Sequence, residues 1–573
     1  MTGDKHIPYG ESVGVLVGRG TEQNLLRAAV AFVESQKAPI LGEFLVIEEN
    51  ELRKRKLLCR VDDVTYGDFH TTQDERERTL VEKYVRDVSG HQRALSEEEK
   101  KMLFFQHYVL RVLGEFRQDT PNGSFRIATD YRVLPSLTAI LRYPTEDELK
   151  ILTKAGFTLE GIDLSAIGHL AFGEYEYEKI PIYFDVSKFA ARRTAIFART
   201  GYGKSNLAKF VATLAGISSP NSGMIILDLD GEYAFTVRDE DRKVKSFGLS
   251  DIPHLEKRLT IFTNRAMQTT QNSMITIKPF MNFKIMSSYD IKRLIPIEGD
   301  DESATVSGFA TILDAVIKEW ADLLDFVEND PLNWRQRNQK IEALTEAALK
   351  NKKIKENQRN LFFRIVDRLL PLHNPKGGDF FEDVQKELKQ YKIVILDLSL
   401  FPIPYANQIA SVVLQRIFTY NQYHITSQDM VSVIAVFEEA QNVLNKKAIE
   451  AGESIFVRWA KEGRKFGLGL IYITQQPGAI AEEIVSQTDN FFVMHLLGKN
   501  DVDALIRANR HYDGVIAHFL VSETVVGNAY VYSAPYQPYV FPAHIWEFKP
   551  EIFTKLFGDS KQTQSSRPQH TLF

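Results

Sequence analysis

Cysteine is nearly missing: Cys59 is the single one in 573 residues. A lone thiol excludes an intrachain disulfide and a Cys-rich zinc site, and it fits a reducing compartment. Long apolar runs are missing as well. No stretch approaches the roughly 18 residues that a membrane span requires, and the first residues, MTGDKHIPYGES, carry no apolar signal region. A cytoplasmic protein with no membrane contact is expected. The 13 histidines show no ligand spacing of the His-x-x-x-His kind and read as ordinary surface or core residues. Positive charge is not in surplus: 70 Lys and Arg stand against 75 Asp and Glu, a formal net charge of −5. Contact with nucleic acid has to be local, as inside a channel. The remaining composition, 44% hydrophobic and 25% charged, is that of a globular protein, and the length calls for more than one domain.

Against this plain background one stretch carries chemistry. Residues 194–210, TAIFARTGYGKSNLAKF, read as an apolar strand, a Gly-containing loop and a helix. Within them, Ala198-Arg-Thr-Gly201-Tyr-Gly203-Lys204-Ser205 matches a phosphate-binding loop with Ala in place of the first Gly. A triphosphate requires inward-pointing backbone N–H groups, a helix N-terminus behind them and a cation. Gly201 and Gly203 let the backbone bend close to phosphate oxygens. Lys204 can reach the β and γ phosphates, and the Ser205 hydroxyl can ligate Mg²⁺. The ATP-binding residues expected are Thr200, Gly201, Tyr202, Gly203, Lys204, Ser205 and Asn206.

Around this loop the pattern changes several times. Residues 12–65 hold short apolar segments separated by Gly, Glu or Lys clusters, the spacing of a small sandwich or barrel. Residues 70–118 turn charged with helical apolar spacing, and Ser96-Glu-Glu-Glu99 is a capping box for a helix closing at Gly114, so a helical insertion is expected there. Thr145-Glu-Asp-Glu148 caps a further short helix, and 168–186 reads as the final hairpin of the β domain. From 188 onward strands and helices alternate. Strand candidates lie at 194–198, 224–230, 258–263, 392–399, 431–437, 468–474, 490–496 and 528–533. Several are continuous Ile- and Val-rich runs, as buried parallel strands require, so an α/β sheet covered by helices follows. The alternation stops between 285 and 390, which reads as a helical insertion. Its lysines 350, 352, 353 and 355 are best taken as a solvated helix face. Residues 534–548 are Pro- and aromatic-rich and expected to be extended, ahead of a polar tail.

A phosphate loop needs a carboxylate strand beside it, and VSVIAVFEEAQNVL supplies one ending in Glu438-Glu439. Mg²⁺ prefers oxygen ligands and often takes only one or two carboxylates. Glu438 is the candidate metal ligand with Ser205, and Glu439 the candidate general base for the attacking water. The next strand ends in Thr474-Gln475-Gln476-Pro477, where the Gln475 amide can touch both γ-phosphate and water. Ahead of it lie Arg458, Lys461, Arg464 and Lys465. A cation delivered to the γ-phosphate stabilises phosphoryl transfer, with Arg464 the first choice, from a neighbouring subunit, and Arg458 the second. Asp228, Asp230 and Glu232 sit at the same carboxyl edge and can order metal or water, or link subunits.

Taken together, RTGYGKSN, LDLDGEY, FEEAQNVL and EGRKFGLGLIYITQQP, in this order after a β domain, resemble the HerA–FtsK superfamily of DNA-translocating ATPases, and HerA in particular. The likeness covers nearly the whole chain. Ala198, Glu438 and Gln476 depart from residues frequent in the family, Gly, Asp and Arg respectively. The resemblance implies an α/β fold: an N-terminal β-barrel over 1–187, a RecA-like P-loop ATPase core over 188–284 and 391–533, a helical insertion over 285–390, and a C-terminal strap and tail over 534–573. It also implies ATP and Mg²⁺ as cofactors, and a homo-hexamer translocating on double-stranded DNA. An effector protein, nuclease or sirtuin-like, is expected to dock on the barrel. In archaea that effector is the nuclease NurA, in DNA end resection; in bacterial relatives the setting is antiphage defence. Two other readings stay open: a nucleotide-gated scaffold that assembles and activates its effector, and an end-resection motor of the archaeal type. The missing membrane anchor and the β domain argue against a conjugation-type ATPase.

Overall fold

The computed structural model describes residues 9–19, 25–31, 38–49, 55–66, 105–118, 125–137, 139–153, 165–218, 221–265, 275–286, 288–294, 339, 343, 373–451, 454–535 and 537–557. The capping box at Ser96, the insertion over 70–104, the lysines at 350–355, most of the 285–390 segment and the tail beyond 557 lie outside these residues. The chain forms two compact units. One gathers residues 1–185, 197–202 and 491–546, the other 186–196, 203–490 and 547–573.

In the first unit, short alternating strands form a barrel. They are β1 (Ser12–Arg19), β2 (Leu25–Ala31), β3 (Phe44–Glu48), β4 (Lys56–Tyr66), β5 (Phe105–Gln118), β6 (Phe125–Ala128) and β7 (Ile140–Arg142). Their order is β2-β1-β7-β3-β4-β5-β6, and pairing of β2 with β5 closes six of them into a ring. Closure removes the free strand edges that an open sheet leaves exposed. Alternate side chains point inward, and Leu16, Leu26, Leu45, Ile47, Leu57, Val61, Leu110 and Leu141 fill the interior.

The helix expected to close at Gly114 is not formed in the described part; 105–118 is the strand β5. Its apolar residues run almost without a break, so helix and strand both suit it locally. Pairing decides: Leu110 lies opposite Leu26 of β2 and Val61 of β4. Gly114 is a close-approach residue rather than a helix cap, because a Cβ there would stand 2.5 Å from Ile127 Cγ2. The 168–186 hairpin forms as β8 (Ser165–Phe172) and β9 (Tyr175–Phe184). Its outer partner is the late strand described below, not a strand of the barrel.

The second unit is built on parallel strands. These are β10 (Arg193–Phe197), β11 (Gly223–Asp228), β14 (Leu259–Phe262), β15 (Thr276–Lys278), β16 (Ile393–Asp397), β17 (Val433–Phe437) and β18 (Leu468–Thr474), with a small ribbon of β12 (Val237–Arg238) and β13 (Val244–Ser246) inserted. The order is β15-β14-β16-β11-β17-β18-β10. Every residue of β11, β16, β17 and β18 is buried, as expected when helices cover both faces. Those helices include Lys204–Ser218, Phe380–Lys389, Ile403–Tyr423 and Ile455–Glu462. The chain then returns to the first unit with β19 (Asn490–Val493), β20 (Asn528–Ser533) and β21 (Gln537–Ile545), which continue into β8 and β9. Among the described residues no helix is long and apolar enough to cross a membrane.

The capping box at Thr145 forms as the sequence pattern predicts. Thr145 Oγ1 accepts from Glu148 N at 3.2 Å, and Glu148 Oε2 accepts from Thr145 N at 2.9 Å. Glu148 is buried and also takes two 2.8 Å bonds from Arg142 and one of 3.0 Å from Lys56. Burial pushes its carboxyl up, yet these donors outweigh burial and hold it down at about 2. A depressed carboxyl stabilises the fold above its unfolded pKa, and the contribution is lost as pH falls toward 2. Glu148→Gln is expected to cost about 3 kcal/mol at pH 7. In thermal unfolding of the full chain, the gap to wild type should narrow from about pH 5 downward.

Candidate active site

Parallel strands place all their carboxyl ends along one edge, the edge where ligands bind in open α/β sheets. In the second unit β10 leads into the phosphate loop, its neighbour β18 ends at Thr474, and β17 ends just before Glu438. The loop backbone turns on Gly201 (φ +86°) and Gly203 (φ +104°), a conformation that residues other than glycine rarely adopt. The helix begins at Lys204, and Gly203 O accepts the first helical bond, from Leu207 N at 3.0 Å.

Lys204 is partly buried. Burial lowers the pKa of its ammonium, while Glu439, Glu438, Asp230 and Glu232 pull it back up, in that order of strength. The expected lysine and the expected acids are therefore brought together. Glu438 is 9% exposed. Its Oε1 accepts from the Tyr233 hydroxyl at 2.9 Å, while its Oε2 is buried with no hydrogen-bond partner among the described residues. Burial, then the charge of Asp228, raises its carboxyl well above the ordinary range.

Glu439 has the left-handed backbone conformation, φ 43° and ψ 45°. A non-glycine residue held there stores strain of roughly 1–3 kcal/mol, and such strain clusters at functional sites. The conformation turns the chain sharply off β17. Glu439 Oε2 accepts from Gln441 Nε2 at 2.6 Å, and Oε1 lies 3.4 Å from Gln475 Nε2. Gln441 in turn accepts from the Thr474 hydroxyl at 2.7 Å. The candidate base and the candidate amide thus share one network at the tips of adjacent strands.

Asp228 has a different place from the other acids. It is fully buried, and its two oxygens accept from the backbone N–H groups of Gly231 (2.7 Å), Glu232 (3.1 Å) and Tyr233 (3.1 Å). Burial pushes its carboxyl up to about 6 against these bonds. It holds the turn that delivers Tyr233 to Glu438. Asp230 is exposed and Glu232 half-buried.

Of the two candidate arginines, Arg458 is committed within the chain: its guanidinium lies 4.7 Å over the Phe418 ring. Arg464 has a side chain 68% exposed, with Asp489 Oδ1 3.9 Å away. The segment carrying it is firmly held. Asn421 Nδ2 donates to Phe466 O at 2.7 Å, and the Phe466 ring meets Phe418 at 5.0 Å. Arg193 donates to Lys461 O at 3.1 Å and also to Ala460 O. Asn206, expected at the nucleotide, accepts from Phe548 N at 2.7 Å through its side-chain oxygen.

Sequence reasoning missed Lys209, Tyr233 and Gln441. Lys209 is 2% exposed and donates to Phe247 O at 2.9 Å. Burial lowers its pKa, with Glu232, Asp228, Glu438 and Asp251 opposing. It lies amid the apolar text of the phosphate helix, where nothing local marks it. Tyr233 and Gln441 stand inside the quoted motifs LDLDGEY and FEEAQNVL and were legible there as polar residues near the strand tips.

Residues 166–417 match the family described as helicase HerA, central domain. The chain is 22% identical to the DNA double-strand break repair helicase HerA of Saccharolobus solfataricus over 91% of this chain and 89% of the relative. It is 22% identical to the protein of the same name from Sulfolobus acidocaldarius, over 86% and 84%. The plasmid coupling protein TrwB, solved with a GTP analogue, aligns with a TM-score of 0.41 and 14% identity over 70% of this chain and 93% of that one. Phosphate loop, strand-tip acids and relatives define a P-loop ATPase. More narrowly, residues 166–417 are similar to the central domain of helicase HerA, and most of the chain is similar to curated HerA helicases.

The three N–H groups on Asp228 set a stability test. Asp228→Ala takes the acceptor from all three, of which that of Tyr233 is buried, at a cost of roughly 2–4 kcal/mol. The expected result is a lower denaturation midpoint than for Asp230→Ala, whose side chain is exposed.

Proposed function

We propose that this ATPase is a ring motor that couples ATP hydrolysis to movement on double-stranded DNA. The observation that carries the reading is Glu439, held in a strained left-handed turn with its carboxylate on Gln475 and its charge acting on Lys204. In the proposed mechanism Lys204 holds the β and γ phosphates against backbone N–H groups of the loop. Glu439 takes the proton of the attacking water while Gln475 orients it. The site fits Mg²⁺, since Glu438 Oε2 is a buried carboxylate oxygen with no hydrogen-bond partner among the described residues and Ser205 opens the helix after Lys204. These two would hold the ion, which supplies neutralisation of phosphate charge. Arg464, exposed on a rigid segment, is suited to reach a neighbouring subunit's γ-phosphate, and this supports a closed ring, a homo-hexamer by family resemblance. The names of the relatives, DNA double-strand break repair helicases, support duplex DNA as substrate. An effector, nuclease or sirtuin-like, is proposed to dock on the barrel, with antiphage defence as the setting that the resemblance implies.

Lys204→Ala is expected to abolish ATP binding and turnover. Glu439→Gln and Arg464→Ala should each keep nucleotide binding and lose turnover by roughly 100-fold or more. Mixing these last two variants is the decisive assay. If Arg464 acts across subunits, mixed rings contain some interfaces with both groups intact, and turnover partly recovers. No recovery on mixing, with ring formation verified by native mass measurement, overturns the role in trans. Stimulation of turnover by duplex DNA, weakening with salt, checks the substrate.

A further inference from the structure

A phosphate loop has two opposing requirements. Its glycines must bend, yet its N–H groups must already point at the phosphates before the ligand arrives, or binding carries the entropy of ordering them. Here the loop turns on Gly201 and Gly203, and Tyr202 stands between them. Whatever fixes Tyr202 therefore fixes the crest of the loop.

The residue that does so is His495, two positions beyond the end of β19. Its ring lies against the Tyr202 ring, centroids 4.5 Å apart and planes inclined by 31°. Its backbone O accepts from Arg199 N at 2.9 Å, at the stem of the loop. The preceding Met494 N donates to Phe197 O at 2.8 Å, so the two segments are in register up to the point where the loop departs. His495 thus grips the loop twice, by its backbone at the stem and by its ring at the crest. The ring is 5% exposed, and its Nδ1 is buried with no hydrogen-bond partner among the described residues. Nothing on Nδ1 explains the ring's position, whereas the face tilted against Tyr202 does.

We infer that His495 is a positioning residue of the ATPase, one that pre-orders the phosphate loop through its ring contact with Tyr202 and so sets nucleotide affinity rather than the rate of hydrolysis. The inference rests on the reading of 198–205 as the nucleotide site. It makes no use of the charge of His495.

The test uses the full-length chain and a fluorescent ATP analogue, with KM and kcat measured beside the binding constant. His495→Ala is expected to weaken binding and raise KM about tenfold, with kcat within about twofold of wild type, as loss of ground-state pre-organisation requires. His495→Phe keeps the ring face against Tyr202 and removes the unmatched nitrogen, so it should restore affinity to within about twofold. Tyr202→Ala should match His495→Ala, and the double variant should be no worse than either single one, because both remove the same contact. The inference is overturned if His495→Ala lowers kcat at unchanged KM, if the two penalties multiply, or if Phe does no better than Ala. If His495→Ala fails to fold, the Phe variant and the Tyr202→Ala variant still decide the matter by their affinities. Retention of analogue binding in Lys204→Ala would instead remove the nucleotide-site reading itself, an outcome distinct from failure at His495.

Discussion

Among the described residues, the acids at the carboxyl edge of the second unit outnumber the cations that face them, and much of the local structure answers to this imbalance. Glu438, Glu439, Asp230 and Glu232 all act on Lys204, and Asp228 lies fully buried behind them. Like charges in a low-dielectric setting repel strongly unless hydrogen bonds or cations intervene. Three backbone N–H groups satisfy Asp228, the Tyr233 hydroxyl satisfies half of Glu438, and two amides support Glu439. Among the described residues one oxygen of Glu438 stays unmatched.

That arrangement depends on β17 and β18 lying side by side and buried on both faces. Their tips must carry polar groups, because the chain emerges there from a wholly apolar layer. Glu439 emerges through a left-handed residue, which swings its carboxylate toward Gln475 instead of continuing the strand direction. Arg464 belongs to the same logic one element earlier. Asn421, Phe418 and Arg193 fix its segment, while the guanidinium itself stays largely exposed.

Much of this could be read from residue order. The continuous Ile/Val runs marked the parallel strands, and the loop text with Glu438-Glu439 and Gln475 marked the residues that the fold assembles at one edge. The capping box at Thr145 was legible because its two hydrogen bonds join residues three apart. The failures share a cause, which is distance in sequence. FFQHYVLRVLG has no local feature that rejects a helix; β2 and β4 make it a strand. The hairpin at 168–186 was visible, but its partner β21 lies more than 350 positions later. Lys209 reads as one more helix residue until the acids from three other segments surround it.

The bond between Asn206 and Phe548 links residues 342 positions apart, and Phe548 and Phe553 pack on Phe210 of the same phosphate helix. Contacts of such separation form late, since the intervening chain must first be gathered. During synthesis, the helix behind the phosphate loop therefore waits with its Phe210 face uncovered until residue 553 has left the ribosome. The protein can assemble its barrel early, but a finished nucleotide site comes only with nearly the whole described chain in hand, which keeps a half-made chain from acting as an ATPase.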